Sequence, residues 1–333
     1  MRDQRFLVDR VLLHCNPIDF LIRTFSRFFL GSLLLFTPIF QWAENDPNSI
    51  RILSWNVRNY NLCNRYFDGR FRFNYPKPEV EKNALRKVIS ELQPDFILLQ
   101  EMGDEPFLKE LIEDLNSECR MEFKHSYCLH GVDDVRHLAV VSLRPFKVVE
   151  NPINSSESFN YFDQPFVVKR GLLEIETELV DSNTSISIPI TLMSFHLKSR
   201  FTEDKRDPLS QHRREKEATL IRSYLVRKLE ENPGNNILMT GDLNDLVLSR
   251  AYRRITEIAG RDILLEVPVF DDNGDVWTHF YEKQRSYEQI DFLFMSPSLK
   301  HNPKIEITAQ IVENESVRTA SDHRPILITI TQK

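Results

Sequence analysis

Six short segments of this 333-residue chain share one arrangement: an apolar run that ends in polar or ionisable residues. They are Ser54-Trp55-Asn56-Val57, Leu99-Gln100-Glu101, Ser194-Phe195-His196-Leu197-Lys198-Ser199, Thr240-Gly241-Asp242-Leu243-Asn244-Asp245, Gln289-Ile290-Asp291-Phe292 and Ala320-Ser321-Asp322-His323-Arg324-Pro325. One polar strand end is ordinary, because strands end at the surface. Six of them, with hard-cation ligands among them, point to groups that converge along one edge of a rigid scaffold.

The residue types suit chemistry at phosphorus. Carboxylate oxygens favour Mg²⁺, which takes one or two protein carboxylates and keeps waters for a substrate phosphate. Such an ion polarises a phosphoryl oxygen and offsets charge in the transition state. An Asp can hold and activate the attacking water. Asn donates to a phosphate oxygen without repelling it, and a His beside an Asp is a base of fixed tautomer, or a cation when protonated.

These groups need strands and helices to present them, and the pattern supplies both. Ile50–Val57, Phe96–Leu99, Leu138–Leu143, Leu173–Leu179, Ile186–Leu197, Ile237–Met239, Trp277–Tyr281, Gln289–Met295, Ile305–Ile311 and Ile326–Ile330 read as strands. Pro189 places the Ile186–Leu197 strand at an edge or bulge. Helices are expected from Pro78, with Val80, Ala84, Leu85, Val88 and Leu92 on one face, around Phe107–Leu115, from Ser210 to Leu229, and from Ala251 to Ala259. Asn61–Pro76 and Asn151–Gln164 read as loops, and Asp271–Asp275 as an Asn-Gly turn rather than a Ca²⁺ loop. Two strand–helix–strand halves predict two sheets packed face to face with helices outside, in one domain from about residue 50 to 333.

In their order, WNV, LLQE, HLKS, TGDLND, IDFLF and SDHRP resemble the motif set of the endonuclease/exonuclease/phosphatase superfamily. That family includes deoxyribonuclease I, AP endonucleases, neutral sphingomyelinases and inositol polyphosphate 5-phosphatases. The resemblance implies an α/β fold, a four-layer α/β/β/α sandwich. It implies metal at Glu101, Asn56 and Asp322, and catalytic roles for His196, Asp242, Asn244, Asp291 and His323. Glu101 matches the principal Mg²⁺ ligand, and Mn²⁺ can replace that ion. Asp242 matches the Asp that orients or deprotonates water, and Asn244 its phosphate-binding neighbour. Asp291 matches the partner of the catalytic His323, and His196 the second His of deoxyribonuclease I. Arg58 stands where many nucleases of the family carry an acid. Asp245 and Phe292 depart from the inositol phosphatase pattern.

Around this set, Lys198, Arg200, Lys205, Arg206, Arg213 and Arg214 form a basic cluster, and Arg58, Lys198 and Arg200 are the expected substrate contacts. Arg65, Arg70 and Arg72 alternate with aromatics, a pattern that suits stacking on nucleobases or packing on the sheet. Net charge is −6, which argues against a tight nucleic-acid binder but not against a nuclease that turns over. The first expectation is therefore a Mg²⁺-dependent phosphoester hydrolase acting on nucleic acid, a nuclease or phosphodiesterase. The alternative is a phosphatase or phospholipase C-type hydrolase of a lipid headgroup or inositol phosphate. A non-catalytic binding module on the same fold is the third reading. A monomer is the default, and no protein partner can be inferred.

Residues 1–43 read as a signal peptide or membrane anchor, with the apolar run Phe28 to Ala43 following Arg23 and Arg27, and residues 44–49 as a short linker. This ordering implies export, with a membrane-anchored catalytic domain as the alternative. None of the four cysteines has C-x-x-C spacing, so a zinc ribbon is excluded; Cys119 and Cys128 are either free or paired.

Overall fold

The strands alternate, and the alternation sorts their side chains onto two faces. In the Ser49–Tyr60 strand, Ile50 and Ile52 join one apolar cluster while Leu53, Trp55 and Val57 join another. The same split separates Phe96 and Leu98 from Ile97 and Leu99 in the neighbouring strand Phe96–Met102. A computed structural model describes residues 48–333 except 151, 154–156, 182–183 and 283. The apolar segment read as signal or anchor lies outside the described residues, as does Cys15. The first strand begins at Ser49, one residue inside the segment read as linker.

Two six-stranded sheets result. The first runs in the order Ile305–Ile311, Ile326–Gln332, Ser49–Tyr60, Phe96–Met102, His137–Ser142, His125–Leu129. The second runs Leu265–Glu266, Asp291–Met295, Ile237–Asp242, Ser187–His196, Leu172–Val180, Lys147–Val148. Each has one parallel pair at its centre, joined by a helix crossover. The crossover helices are Glu79–Leu92 and Gln211–Glu231. Apolar residues of both sheets, among them Ile52, Leu98, Leu192, Leu238 and Ile328, form the central core. Leu85, Val88, Leu111 and Val317 cover the outer face of the first sheet, and Ala218, Ile221, Leu225 and Ile255 that of the second. The layers are α/β/β/α, as the motif resemblance implied.

Local expectations fail where a neighbour overrides the pattern. Pro189 is not on an edge strand, since Ser187–His196 is hydrogen-bonded on both sides. Its parallel partner begins only opposite Thr191, so at Pro189 that side of the strand has no ladder to break. Val80 is 57% exposed, and Leu85, Val88 and Ile89 carry the buried face of that helix. The segment read as the loop Asn61–Pro76 holds a hairpin, Cys63–Phe67 with Arg70–Tyr75, turned at Asp68-Gly69, both at positive φ. The second loop contains the hairpin of Phe159–Tyr161 and Gln164–Phe166. The last helix turn predicted before Ala259 is instead the two-residue strand Glu257–Ile258. Cys63, Cys119 and Cys128 are free thiols, so the possible Cys119–Cys128 disulfide is not formed.

Candidate active site

Strand register brings three of the expected groups side by side. His196 is opposite Asp242 across the parallel ladder, and Asp242 is opposite Asp291 across the antiparallel one. Asn56 lies on the facing sheet at the corresponding strand end. It points inward with Ile50 and Ile52 by alternation, and its Nδ2 donates to Asp242 Oδ2 at 3.0 Å. The C-terminal strand pairs Ile326 with Ser54. That register carries Ser321 and His323 against the Asn56 strand end, where Ser321 Oγ donates to the Asn56 carbonyl at 2.7 Å and Trp55 Nε1 to the His323 carbonyl at 2.9 Å.

Glu101 reaches the site by a different device. Alternation would aim it under the helices with Ile97 and Leu99. Pairing instead slips from Asn56 opposite Gln100 to Tyr60 opposite Met102, a bulge in the ladder. Glu101, Arg58 and Asn59 all take left-handed φ there, at 61°, 47° and 54°. Each such non-glycine residue costs about 1–3 kcal/mol and persists only where surroundings enforce it. The turn brings Glu101 Oε2 to accept the Asn59 N–H at 2.9 Å, while Oε1 lies 3.9 Å from His196 Nε2 and 3.8 Å from Arg136 Nε.

Asp242 is the most closely held carboxylate of the group. Besides Asn56, it accepts from the Asn244 backbone N–H at 2.7 Å and from Asn244 Nδ2 at 3.1 Å. Asn244 takes left-handed φ, 55°, to make both bonds. His196 Nε2 is 3.5 Å and His323 Nε2 3.9 Å from Asp242 Oδ2. Burial, then the neighbouring Asp291 carboxylate, raise the Asp242 pKa above the ordinary carboxylate range. His323 is shifted the other way in charge. Burial opposes its cation, but Asp291, whose Oδ2 lies 2.9 Å from Nδ1, together with Asp242 and Asp322 outweighs burial and raises its pKa. His196 is held neutral, its pKa driven well down by burial and by the Arg170 cation.

Asp322 is set apart from Glu101. It pairs with Arg58 at 3.6 Å, and His279 Nε2 lies 3.9 Å away. Burial opposes its charge, yet His323 and Arg58 keep its pKa below the usual value. Arg58 therefore offsets an acid where the family pattern would add one. Arg200 pairs with Glu288 at 2.7 Å, and Lys198 donates to Ser199 and Phe201 carbonyls. Of the basic cluster, Arg214 is buried against Asp245, Arg213 pairs with Glu217 and Arg206 with Asp204. Most of that cluster holds the scaffold together.

Two clefts flank these residues. One, of about 650 Å³, runs from Glu101 past Arg136, Lys169, Arg170 and Lys198. The other, of about 510 Å³, lies beside Asp322 and is walled by Trp277, Phe280, Tyr281 and Tyr287, with Arg58 and Arg318 at its rim. Arg136, Lys169, Arg170 and His279 escape sequence reading. They come from loops and short strands without periodicity, and only the WTHFY run carried a hint.

The donor set fits a hard divalent cation. Glu101 Oε1 accepts no hydrogen bond among the described residues, with Arg136 Nε at 3.8 Å and His196 Nε2 at 3.9 Å beside it, and its charge is felt by Asp242. Asp242, Asp291 and His323 also lie within ligand distance of one another, as do His279, Asp322 and His323. The first trio is already bonded internally, which suits a proton relay better than a cage.

Comparison with known proteins agrees with this fold. No curated protein sequence matches the chain. The catalytic domain of human Nocturnin with bound sulfate superposes with a TM-score of 0.54 at 16% identity, covering 86% of this chain and 95% of that one. Humanised D. rerio TDP2 superposes at 0.53 with 16% identity, over 86% and 100% of the two chains. An endonuclease/exonuclease/phosphatase from Bacteroides vulgatus gives 0.53 and 16%, over 86% and 99%. At these identities the likeness is one of fold. The sequence model of the Endonuclease/Exonuclease/phosphatase family matches residues 53–323, and the chain belongs to that family.

Proposed function

We propose that this protein is a Mg²⁺-dependent phosphodiesterase whose substrate is a nucleic acid. One observation carries the reading: the Asp242 carboxylate, fixed by the amides of Asn56 and Asn244, faces the Nε2 atoms of His196 and His323 at 3.5 and 3.9 Å. The fit of Glu101 to a hard cation supports the metal. When bound, Mg²⁺ supplies charge that polarises a phosphoryl oxygen.

The chain's own groups divide the remaining work. Asp242, of raised pKa, orients the attacking water and takes its proton as the new P–O bond forms. Asn56 and Asn244 keep that carboxylate aimed. His323, held as a cation by Asp291, places Nε2–H toward the departing ester oxygen, which gains negative charge and takes up a proton as its bond to phosphorus breaks. His196, neutral, offers a second donor without adding charge. The two flanking clefts suit a diester, because a diester carries a substituent on each side of phosphorus. Arg136, Lys169 and Lys198 in the first cleft, which Asp133, Glu203 and Asp204 also line, suit a continuing phosphate backbone, and the aromatic cleft suits a base or sugar.

The test compares plasmid DNA, an RNA oligonucleotide, sphingomyelin and an inositol phosphate under one set of conditions, with Mg²⁺ or with chelator. Cleavage of DNA or RNA, lost with chelator and in both Asp242→Ala and His323→Ala, is the expected result. Turnover of sphingomyelin or inositol phosphate alone would replace the nucleic acid, and full activity in both variants would overturn the assignment of these residues.

A further inference from the structure

A second group of metal-ligating side chains stands outside this constellation. Asp104, His130 and His137 each place one ligand atom within 4.8 Å of the others. Around a tetrahedral Zn²⁺ with bonds of about 2.0–2.1 Å, such atoms sit roughly 3.3 Å apart, so small rotamer changes close the set. The two imidazoles already lie with ring centroids 4.5 Å apart.

Each member departs from its ordinary role. Asp104 is the N-cap of the helix Glu105–Glu118, yet its side chain makes no capping bond. The carboxylate turns instead to His137, 2.9 Å from Nε2. His137 is only 2% exposed, and its buried Nδ1 has no hydrogen-bond partner among the described residues. A buried imidazole with one orphaned nitrogen is costly without a ligand or proton partner. His130 and Asp104 are open to solvent, with side-chain exposures of 45% and 57%, so an ion can enter. Glu105, paired with His130, offers a fourth donor.

We infer that Asp104, His130 and His137, with Glu105 or water completing the shell, form a Zn²⁺ site. Two imidazoles with one or two carboxylates suit Zn²⁺ and not Mg²⁺, which prefers oxygen and water. The site would clamp the start of the helix Glu105–Glu118 to the His137–Ser142 strand. It shares no ligand with the groups around Asp242 and His279, and Asp104 stands three residues beyond Glu101, so an ion here would brace the segment that carries Glu101.

The purified, chelator-stripped full chain is titrated with Zn²⁺ by calorimetry, and with Co²⁺ by visible absorption, in the presence of excess Mg²⁺. Wild type should bind one Zn²⁺ that Mg²⁺ does not displace, show tetrahedral Co²⁺ bands, and melt at a higher temperature with Zn²⁺. His130→Ala, at a solvent-open position that should leave the fold intact, should weaken that binding at least about 100-fold and abolish the bands. Glu101→Gln should leave both unchanged. Equal Zn²⁺ binding in wild type and His130→Ala, or loss in Glu101→Gln alone, would overturn the inference.

Discussion

His323 Nδ1 and Asp291 Oδ2 lie 2.9 Å apart although the two residues come from different sheets' strand ends. The Asp291 backbone N–H is in turn fixed by Thr278 Oγ1 at 3.0 Å. The pair sets the tautomer of His323 and sustains its positive charge. Asp291→Asn keeps the shape and removes the charge. It should lower kcat roughly 10²–10⁴-fold with little change in KM, as expected when the lost interaction belongs to the transition state. Steady-state kinetics on a DNA substrate decides this, and an unchanged kcat would remove Asp291 from the mechanism.

Glu101 carries a separate prediction. Its Oε2 is engaged by the Asn59 N–H, while Oε1 has no hydrogen bond among the described residues. Glu101→Gln preserves the volume and the Asn59 bond but loses the anionic oxygen. The Mg²⁺ concentration giving half-maximal activity should rise roughly 10–100-fold, with the melting temperature nearly constant. A Mg²⁺ titration of activity at saturating substrate measures it. A variant that responds to Mg²⁺ as wild type does would place the ion elsewhere.

The contrast between these two residues shows what the sequence could reveal. Asp291 and His323 were legible because each stands at or just before the start of an apolar strand, where register aligns them. Glu101 was legible as a residue but not as a geometry, since nothing in LLQEM marks the bulge or the left-handed φ of 61° that turns it into the site. Asp245, next to Asn244 in the motif yet bonded to buried Arg214, illustrates the limit of motif reading. The cations of the Glu101 cleft were hidden for another reason. Arg136, Lys169 and Arg170 lie in loops whose placement depends on long-range packing, such as the Arg170 bond to the Leu197 carbonyl at 3.0 Å.

Gly241 tests how closely the strands beneath the site approach. A Cβ at Gly241 would lie 2.1 Å from the Phe195 carbonyl oxygen, a backbone atom that cannot rotate away. Its φ of 151° is also unfavourable for a side chain. Gly241→Ala must therefore separate two paired strands just before His196 and Asp242. A cost of about 2–3 kcal/mol is expected, with a larger fall in kcat than stability alone explains, because Asp242 shifts with the strand. Urea unfolding alongside kinetics at a temperature where the variant stays folded separates the two effects. Wild-type stability in this variant would show that the strands have room to part.

Acid stability depends on a pair at the edge of the Glu101 cleft. Asp133 Oδ2 accepts from Arg170 Nε at 3.1 Å, and Lys169 lies 3.7 Å away. Burial pushes the Asp133 pKa up, but Arg170 and then Lys169 more than offset it, and the folded-state value is depressed. A depressed carboxylate contributes stability that is complete above the unfolded pKa of about 3.9 and is lost as pH falls through the folded value. Asp133→Asn removes that dependence and leaves Arg170 without its counter-charge. At pH 7 the variant should be less stable by roughly 1–3 kcal/mol. Below about pH 4 the gap should narrow, because the unfolded wild type takes up a proton at Asp133 before the folded protein does, and the variant has nothing to titrate there. Other carboxylates titrate in both proteins and cancel in the difference. Urea unfolding across that range supplies the curve, and a gap that stays constant or widens as pH falls would show that the Asp133–Arg170 pair does not hold its charge in the fold.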